Sequence, residues 1–173
     1  MFLESIILII ILLFIFLPVW ILWTFFIGAG WQPTSRRVVK KMLDLAELEP
    51  GDILYDLGSG DGRILKEACK SYGAYSVGLE ADPLRVLWSR LNLRFSGLSD
   101  MSHVTWGNFF NYHIGDASVV TIFLWRETNE RLKAKFQEEL KPGTRIVSYY
   151  WKIEGWKPKN IDKEEKIYIY VVC

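Results

Sequence analysis

The chain has 173 residues, half of them hydrophobic and 24% charged, with 21 Lys and Arg against 20 Asp and Glu and a net charge of +1. That length suits one domain with its own apolar core, at the usual ~100–200 residues per domain. Two cysteines and two histidines are too few for a disulfide scaffold or a structural zinc site, and no metal is expected. Glu4 is the one charged residue before Arg36, so the rest of the chain holds all 21 bases and 19 of the acids. That balance is too even for a dedicated nucleic-acid binder, which carries a strong basic excess.

Residues 1–5 read as a short tail. Ile6–Ile27 is an almost unbroken run of Ile, Leu, Phe, Val and Trp. As a helix it reaches about 33 Å, enough to cross a ~30 Å hydrocarbon layer. A cleavable signal peptide would have a basic start and a shorter apolar run. The run is therefore expected to be one transmembrane helix, kinked at Pro18, with residues 28–35 as linker and 36–173 as the folded domain. Arg36, Arg37, Lys40 and Lys41 follow the run and no base precedes it. The positive-inside tendency then puts the domain on the cytoplasmic side of a single-pass membrane protein. On a helix those four bases share one side, free to rest on anionic headgroups or simply to face water. Val38, Val39, Met42, Leu43, Leu45 and Ala46 take the other side.

Beyond Pro50-Gly51 short apolar runs alternate with helical periods. Ile53–Leu57 is predicted as a strand and Arg63–Tyr72 as a helix closed by Gly73. Ser76–Glu80 is a second strand. Pro83–Phe95 is a helix with proline in its first turn and an apolar stripe of Leu84, Leu87, Trp88 and Leu91. Val104–Trp106 is a short strand, and Val119–Trp125, nearly all apolar, a strand covered on both faces. Asn129–Leu140 is an amphipathic helix capped by Asn129. Arg145–Trp151 and Lys166–Val172 are the last strands, with Ile153–Lys159 a possible hairpin partner. Alternation of this kind predicts an α/β fold, a doubly wound and mostly parallel sheet.

The chemistry concentrates in Asp56-Leu-Gly58-Ser59-Gly60-Asp61-Gly62-Arg63, between the first strand and the first helix. Glycines there let the chain turn sharply and let a ligand approach the backbone. Glu80 closes the second strand, where a carboxylate can hold both hydroxyls of an adenosine ribose. A dinucleotide would set its pyrophosphate on the helix N-terminus, and Asp56 and Asp61 would repel it. The same acids suit a ligand carrying an ammonium and a sulfonium, which is S-adenosylmethionine. A nicotinamide cofactor and a merely structural turn are the competing readings.

These residues resemble the class I, seven-strand, S-adenosylmethionine-dependent methyltransferases. Residues 56–63 are similar to the family's first motif, Gly78-Leu-Glu80-Ala81-Asp82 to its second, and Gly107-Asn108-Phe109-Phe110 to the motif after the third strand. More narrowly, Asn129-Glu130-Arg131-Leu132-Lys133, Leu140-Lys-Pro-Gly-Thr-Arg-Ile-Val-Ser148 and Trp156 resemble a small family of protein-lysine methyltransferases. That family includes archaeal enzymes and membrane-anchored mitochondrial enzymes acting on the ATP synthase c subunit.

The resemblance implies that Asp56, Gly58, Ser59, Gly60, Asp61 and Gly62 surround the methionine part of the cofactor, and that Glu80 holds the ribose beside Ala81 and Asp82. Asn108, where the family usually has Asp, and Phe109 would flank the adenine. Thr34 would reach the carboxylate end or cap the following helix.

In a doubly wound sheet the acceptor enters at the C-terminal strand edges, which brings forward Trp125, Glu127 and Tyr149 as candidate catalytic residues, with Arg126, Tyr150 and Trp151 nearby. The chain lacks the Asn/Asp-Pro-Pro-Tyr/Phe element of base-amine and amide methyltransferases, having Phe123-Leu-Trp-Arg-Glu127 in its place. The expected activity is N-methylation of protein lysine from a membrane tether. A lipid or quinone headgroup methyltransferase and a catalytically silent cofactor-binding module are the alternatives.

Overall fold

The computed structural model describes residues 2–8, 10–12, 14, 15 and 32–173. The expected span 6–27 thus lies largely outside the described residues. Those at the N-terminus that are described are helical and exposed. Among the described residues no helix is long and apolar enough to cross a membrane.

Seven strands form one sheet: β1 (Ile53–Leu57), β2 (Tyr75–Glu80), β3 (Ser102–Trp106), β4 (Val119–Ile122), β5 (Arg145–Tyr149), β6 (Asn160–Asp162) and β7 (Ile167–Val171). Their order is β3-β2-β1-β4-β5-β7-β6. Strands β1 to β5 pair in parallel, and β7 runs antiparallel to both of its neighbours. The order reverses between β1 and β4, so the loops leaving these strands open a crevice at the C-terminal edge, where ligands bind in such sheets.

Side chains alternate between the two faces, as the period of two requires. Leu54, Val119, Val147 and Ile169 join one core, under helices α1 (Arg36–Leu45), α2 (Arg63–Tyr72) and α3 (Pro83–Phe95). Tyr55, Leu57, Val120, Ile122, Ile146 and Tyr170 join the other, under α4 (Arg126–Glu139). This second face is closed by Phe109, Ile114 and Ile153 from loops. A 3₁₀ turn, Phe109–Asn111, lies on the way from β3 to β4.

Several boundaries depart from the sequence reading. Strand β4 ends at Ile122, and α4 begins at Arg126 with Trp125 at its cap position. Asn129 is therefore inside the helix rather than capping it; it is fully buried and donates to Ser148 Oγ at 3.2 Å. The hairpin partner of β7 is Asn160–Asp162, not 153–159. Helix α1 buries Val38, Val39, Met42 and Leu43 as expected. Its basic side is occupied: Lys41 pairs with Asp162 at 2.6 Å, Arg37 with Glu165 and Lys40 with Glu67. Those pairs favour the water-facing reading of that side over headgroup contact.

Helix α3 is rotated from expectation. Its buried residues are Val86, Ser89 and Leu93, and the stripe of Leu84, Leu87, Trp88 and Leu91 faces outward. The reason is the close approach of α3 to the start of α2. A Cβ on Gly62 would stand 2.2 Å from Ser89 Oγ, so this contact needs small residues on both sides and leaves no room for tryptophan or leucine.

Candidate active site

The crevice is an open cleft with about 830 Å³ of empty space counted out to its mouth. Its floor is the glycine loop. Gly58, Gly60 and Gly62 have φ of 87°, 55° and 77°, left-handed values that side chains resist. Gly62 also occupies the N-cap position of α2. Gly58 lies against Leu124, with only 3.1 Å from a notional Cβ to Leu124 Cδ2.

Four carboxylates from the sequence reading line this cleft: Asp56, Asp61, Glu80 and Asp82. Asp56, on β1, is buried, and its Oδ1 accepts from Thr121 Oγ1 at 2.8 Å. Burial pushes its pKa up to about 7; the Thr121 bond opposes this, and the charges of Glu80 and Asp61 add to it. Burial also pushes Asp61 up, but the bonds and charge of Arg63 outweigh it and hold that carboxyl below the ordinary range. Arg63 grips Asp61 through both Nε (2.8 Å) and Nη2 (2.5 Å), and donates from Nη1 to the Thr34 carbonyl at 2.7 Å.

Glu80 is buried at the end of β2. Its Oε2 accepts from the Gly60 N–H at 2.8 Å and its Oε1 from the Asp82 N–H at 2.9 Å. Asp82 caps α3 through Leu84 and Arg85 N–H groups, and Arg85 Nε lies 3.3 Å from its Oδ2. Each Glu80 oxygen retains acceptor capacity for a hydroxyl. These bonds also bear on cofactor choice. The Gly60 amide, which would face a phosphate in a dinucleotide loop, is occupied by a carboxylate, and the Arg63 amide lies 3.3 Å from Asp61 Oδ1. The donor set thus suits a cation-bearing nucleoside and opposes a pyrophosphate.

Phe109, Ile64, Phe123 and Leu124 supply an apolar wall. Ala81 lines the cleft as expected. Ser59 does too, but its buried Oγ points toward Gly78, whose notional Cβ would lie 2.6 Å away. Asn108 is exposed and does not line the cleft; its Oδ1 accepts from Phe110 N at 3.0 Å, capping the 3₁₀ turn. That carbonyl oxygen keeps a second lone pair beyond the one the backbone amide uses.

Trp125, Glu127 and Tyr149 do not line the cleft either. Trp125 and Glu127 are exposed where β4 passes into α4. Tyr149 is half-buried on β5, its ring 4.5 Å from that of Phe123, and burial pushes its pKa up, with the charge of Glu165 adding to the effect. Of the three, Tyr149 adjoins the cleft through Phe123, which lines it. Thr34 is buried and lines the cleft, while the cap of α1 is its neighbour Ser35, whose Oγ accepts from Val38 N. Gln32, Pro33, Arg63 and Arg85 complete the lining. Only the segment before α1 folding over the loop brings the first two there, and no local motif announces that.

A family profile described as the ANTKMT methyltransferase domain matches residues 56–160. The chain belongs to that family. It is 42% identical over 147 residues to a protein-lysine N-methyltransferase of Saccharolobus islandicus (strain REY15A), covering 81% of this chain and 91% of that one. It is 31% identical over 140 residues to the adenine nucleotide translocase lysine N-methyltransferase of Mus musculus, covering 80% of this chain. The chain spans 61% of that mouse protein's length. A crystal structure of an RNA methyltransferase from Salinibacter ruber with S-adenosyl-L-homocysteine superposes with a TM-score of 0.80 at 38% identity, covering 82% of this chain and 94% of that one. This chain is an S-adenosylmethionine-dependent methyltransferase.

Proposed function

We infer that the chain methylates the side-chain amine of lysine in protein substrates, working beside a membrane. The observation that carries this reading is the 42% identity to the archaeal protein-lysine N-methyltransferase across 91% of that protein. The cofactor supplies an electrophilic methyl group on a sulfonium. What the protein supplies is alignment of the acceptor and exclusion of water. Asp56 and Glu80 hold the cofactor's charged and hydroxyl groups, Phe109 flanks the adenine, and Ile64 and Leu124 add apolar lining. A lysine amine, protonated below about 10.4, must lose a proton before it can attack, and desolvation at the apolar mouth lowers its pKa.

Trp125, Glu127 and Tyr149 are assigned to the acceptor. They stand at the ends of β4 and β5 rather than in the cofactor floor, so substituting them should raise the acceptor KM and leave cofactor affinity unchanged. The tether is the uncharged stretch Ser5–Ser35, which raises the effective concentration of the domain near membrane-bound proteins.

The test is to incubate the full chain with methyl-tritiated S-adenosylmethionine and membrane fractions, then separate protein, lipid and RNA. Label in the protein fraction, recovered as methyl-lysine, is the expected result. Label in lipid or in RNA overturns the lysine assignment, and cofactor binding without transfer identifies a silent binding module.

A further inference from the structure

The exposed stripe of α3 is a binding surface in its own right. Leu87, Trp88 and Phe95 are 56%, 64% and 84% exposed, and Leu84 and Leu91 lie with them. At about 100° per residue the five fall within a band about 100° wide, opposite the buried Val86, Ser89 and Leu93. Trp106, 63% exposed at the end of β3, extends the band. Its indole N–H donates to the Ala81 carbonyl at 2.9 Å, which holds its ring beside the start of α3. Scattered single apolar side chains are ordinary on a surface, but a contiguous band is not.

The band has a basic border on the helix itself. Arg85, its Nε 3.3 Å from the capping Asp82, lies along one edge, and Arg90, whose Nε and Nη2 donate to the Val104 carbonyl, lies with Arg94 along the other; within 83–95 there is no acidic residue. Leucine and tryptophan flanked by arginines is the pattern of a helix lying in a membrane interface, its apolar face in the acyl boundary and its bases on anionic headgroups. Tryptophans at the first half of α3 and on β3 fit the same depth. We propose that the α3 band, with Trp106, docks the domain flat on an anionic bilayer. Because Arg85 also lines the cleft, docking sets the cofactor site close to the lipid surface and selects acceptor lysines near the membrane plane. The inference rests on the tethered reading for proximity alone; the lipid contact is a separate property of α3.

The two are separated in one experiment. The full chain, with Cys173→Ser and with Cys69 left buried, is reconstituted into phosphatidylcholine–phosphatidylglycerol vesicles with an environment-sensitive fluorophore at Leu87→Cys or Leu91→Cys. A reference probe is placed at Gln137→Cys on α4, across the sheet. Unchanged cofactor affinity shows that each labelled chain is folded. The expected result is that the protein floats with the vesicles and the α3 probes lose most of their emission to nitroxide lipid labelled near the headgroup. That loss shrinks in pure phosphatidylcholine, and the α4 probe is unaffected. Flotation with α3 probes no more quenched than the α4 probe overturns the docking face and leaves the tether standing. Absence of flotation removes the tether and the docking face together. A blue-shifted α3 probe that nitroxide lipid does not quench shows the band covered by protein, a second copy or the chain's own N-terminal segment, and overturns the lipid assignment.

Discussion

Replacing Asp56 by asparagine should strengthen the fold while weakening its function. The carboxyl is buried between β1 and the cleft, its pKa about 7 against an ordinary 3.8, chiefly because burial penalises the charged form. An acid whose folded pKa is raised binds its proton more tightly in the native state than in the unfolded one. Stability therefore falls as pH rises from about 4 through 7 and stays low above it. At about 1.4 kcal/mol per unit the full term is about 4 kcal/mol. Asp56→Asn keeps an oxygen for Thr121 and removes the charge. At pH 8 the variant should be more stable by roughly that amount, with the difference shrinking toward zero near pH 4.

Cofactor binding should respond in the opposite sense. The ionised Asp56 attracts the ammonium and sulfonium, so affinity for S-adenosylmethionine rises as pH passes through about 7. At pH 6 binding should release a proton from the native protein and none from the variant. Denaturant unfolding between pH 4 and 9, with calorimetry in buffers of different ionisation enthalpy, measures both. A pH-independent stability difference, or equal proton release from the two proteins, refutes the reasoning.

Glu80→Ala removes the partner of two backbone amides and the ribose acceptor, and calorimetry should show cofactor affinity reduced by about 1–3 kcal/mol. Gly62→Ala puts a methyl 2.2 Å from Ser89 Oγ at a φ of 77°, and thermal unfolding should show a loss of roughly 1–3 kcal/mol; Ser89→Gly in the same chain should restore only the clash component. Lys135 is buried among the Phe110 and Tyr112 carbonyls and Glu139, so Lys135→Met leaves Glu139 without its cation. Unfolding in urea should show a cost of about 3 kcal/mol, and hydrogen exchange should rise in residues 109–114, which that network pins.

The parts of the fold read correctly from sequence are those dictated locally. Strand β1, helix α2 and their linking loop are bounded by Gly51, Gly58, Gly62 and Gly73, whose left-handed backbone marks turns wherever they fall. The placement of Asp56 and Glu80 in the cleft was legible because both lie at the C-terminal ends of their strands. Helix α3 was misread because an apolar period announces a face but not its destination; the contact of Ser89 with Gly62 decides that, and it is tertiary. Asn129 resembles a cap by residue type, yet the chain enters α4 three residues earlier at Arg126, which lets Asn129 reach Ser148. Lys135, Gln32 and Pro33 were unreadable for a related reason, since a buried lysine and a segment folded over a distant loop leave no local pattern. The acceptor residues stay the least legible, because the rim is assembled from β4, β5 and the turns beyond them.

The most direct measurement is a binding comparison on the full chain at pH 8, titrating S-adenosylmethionine and NADH against the same preparation. Carboxylates that hold the loop amides and face a cation should bind S-adenosylmethionine and leave NADH unbound, with Glu80→Ala lowering the former. Comparable affinity for NADH would contradict the electrostatic basis of the site.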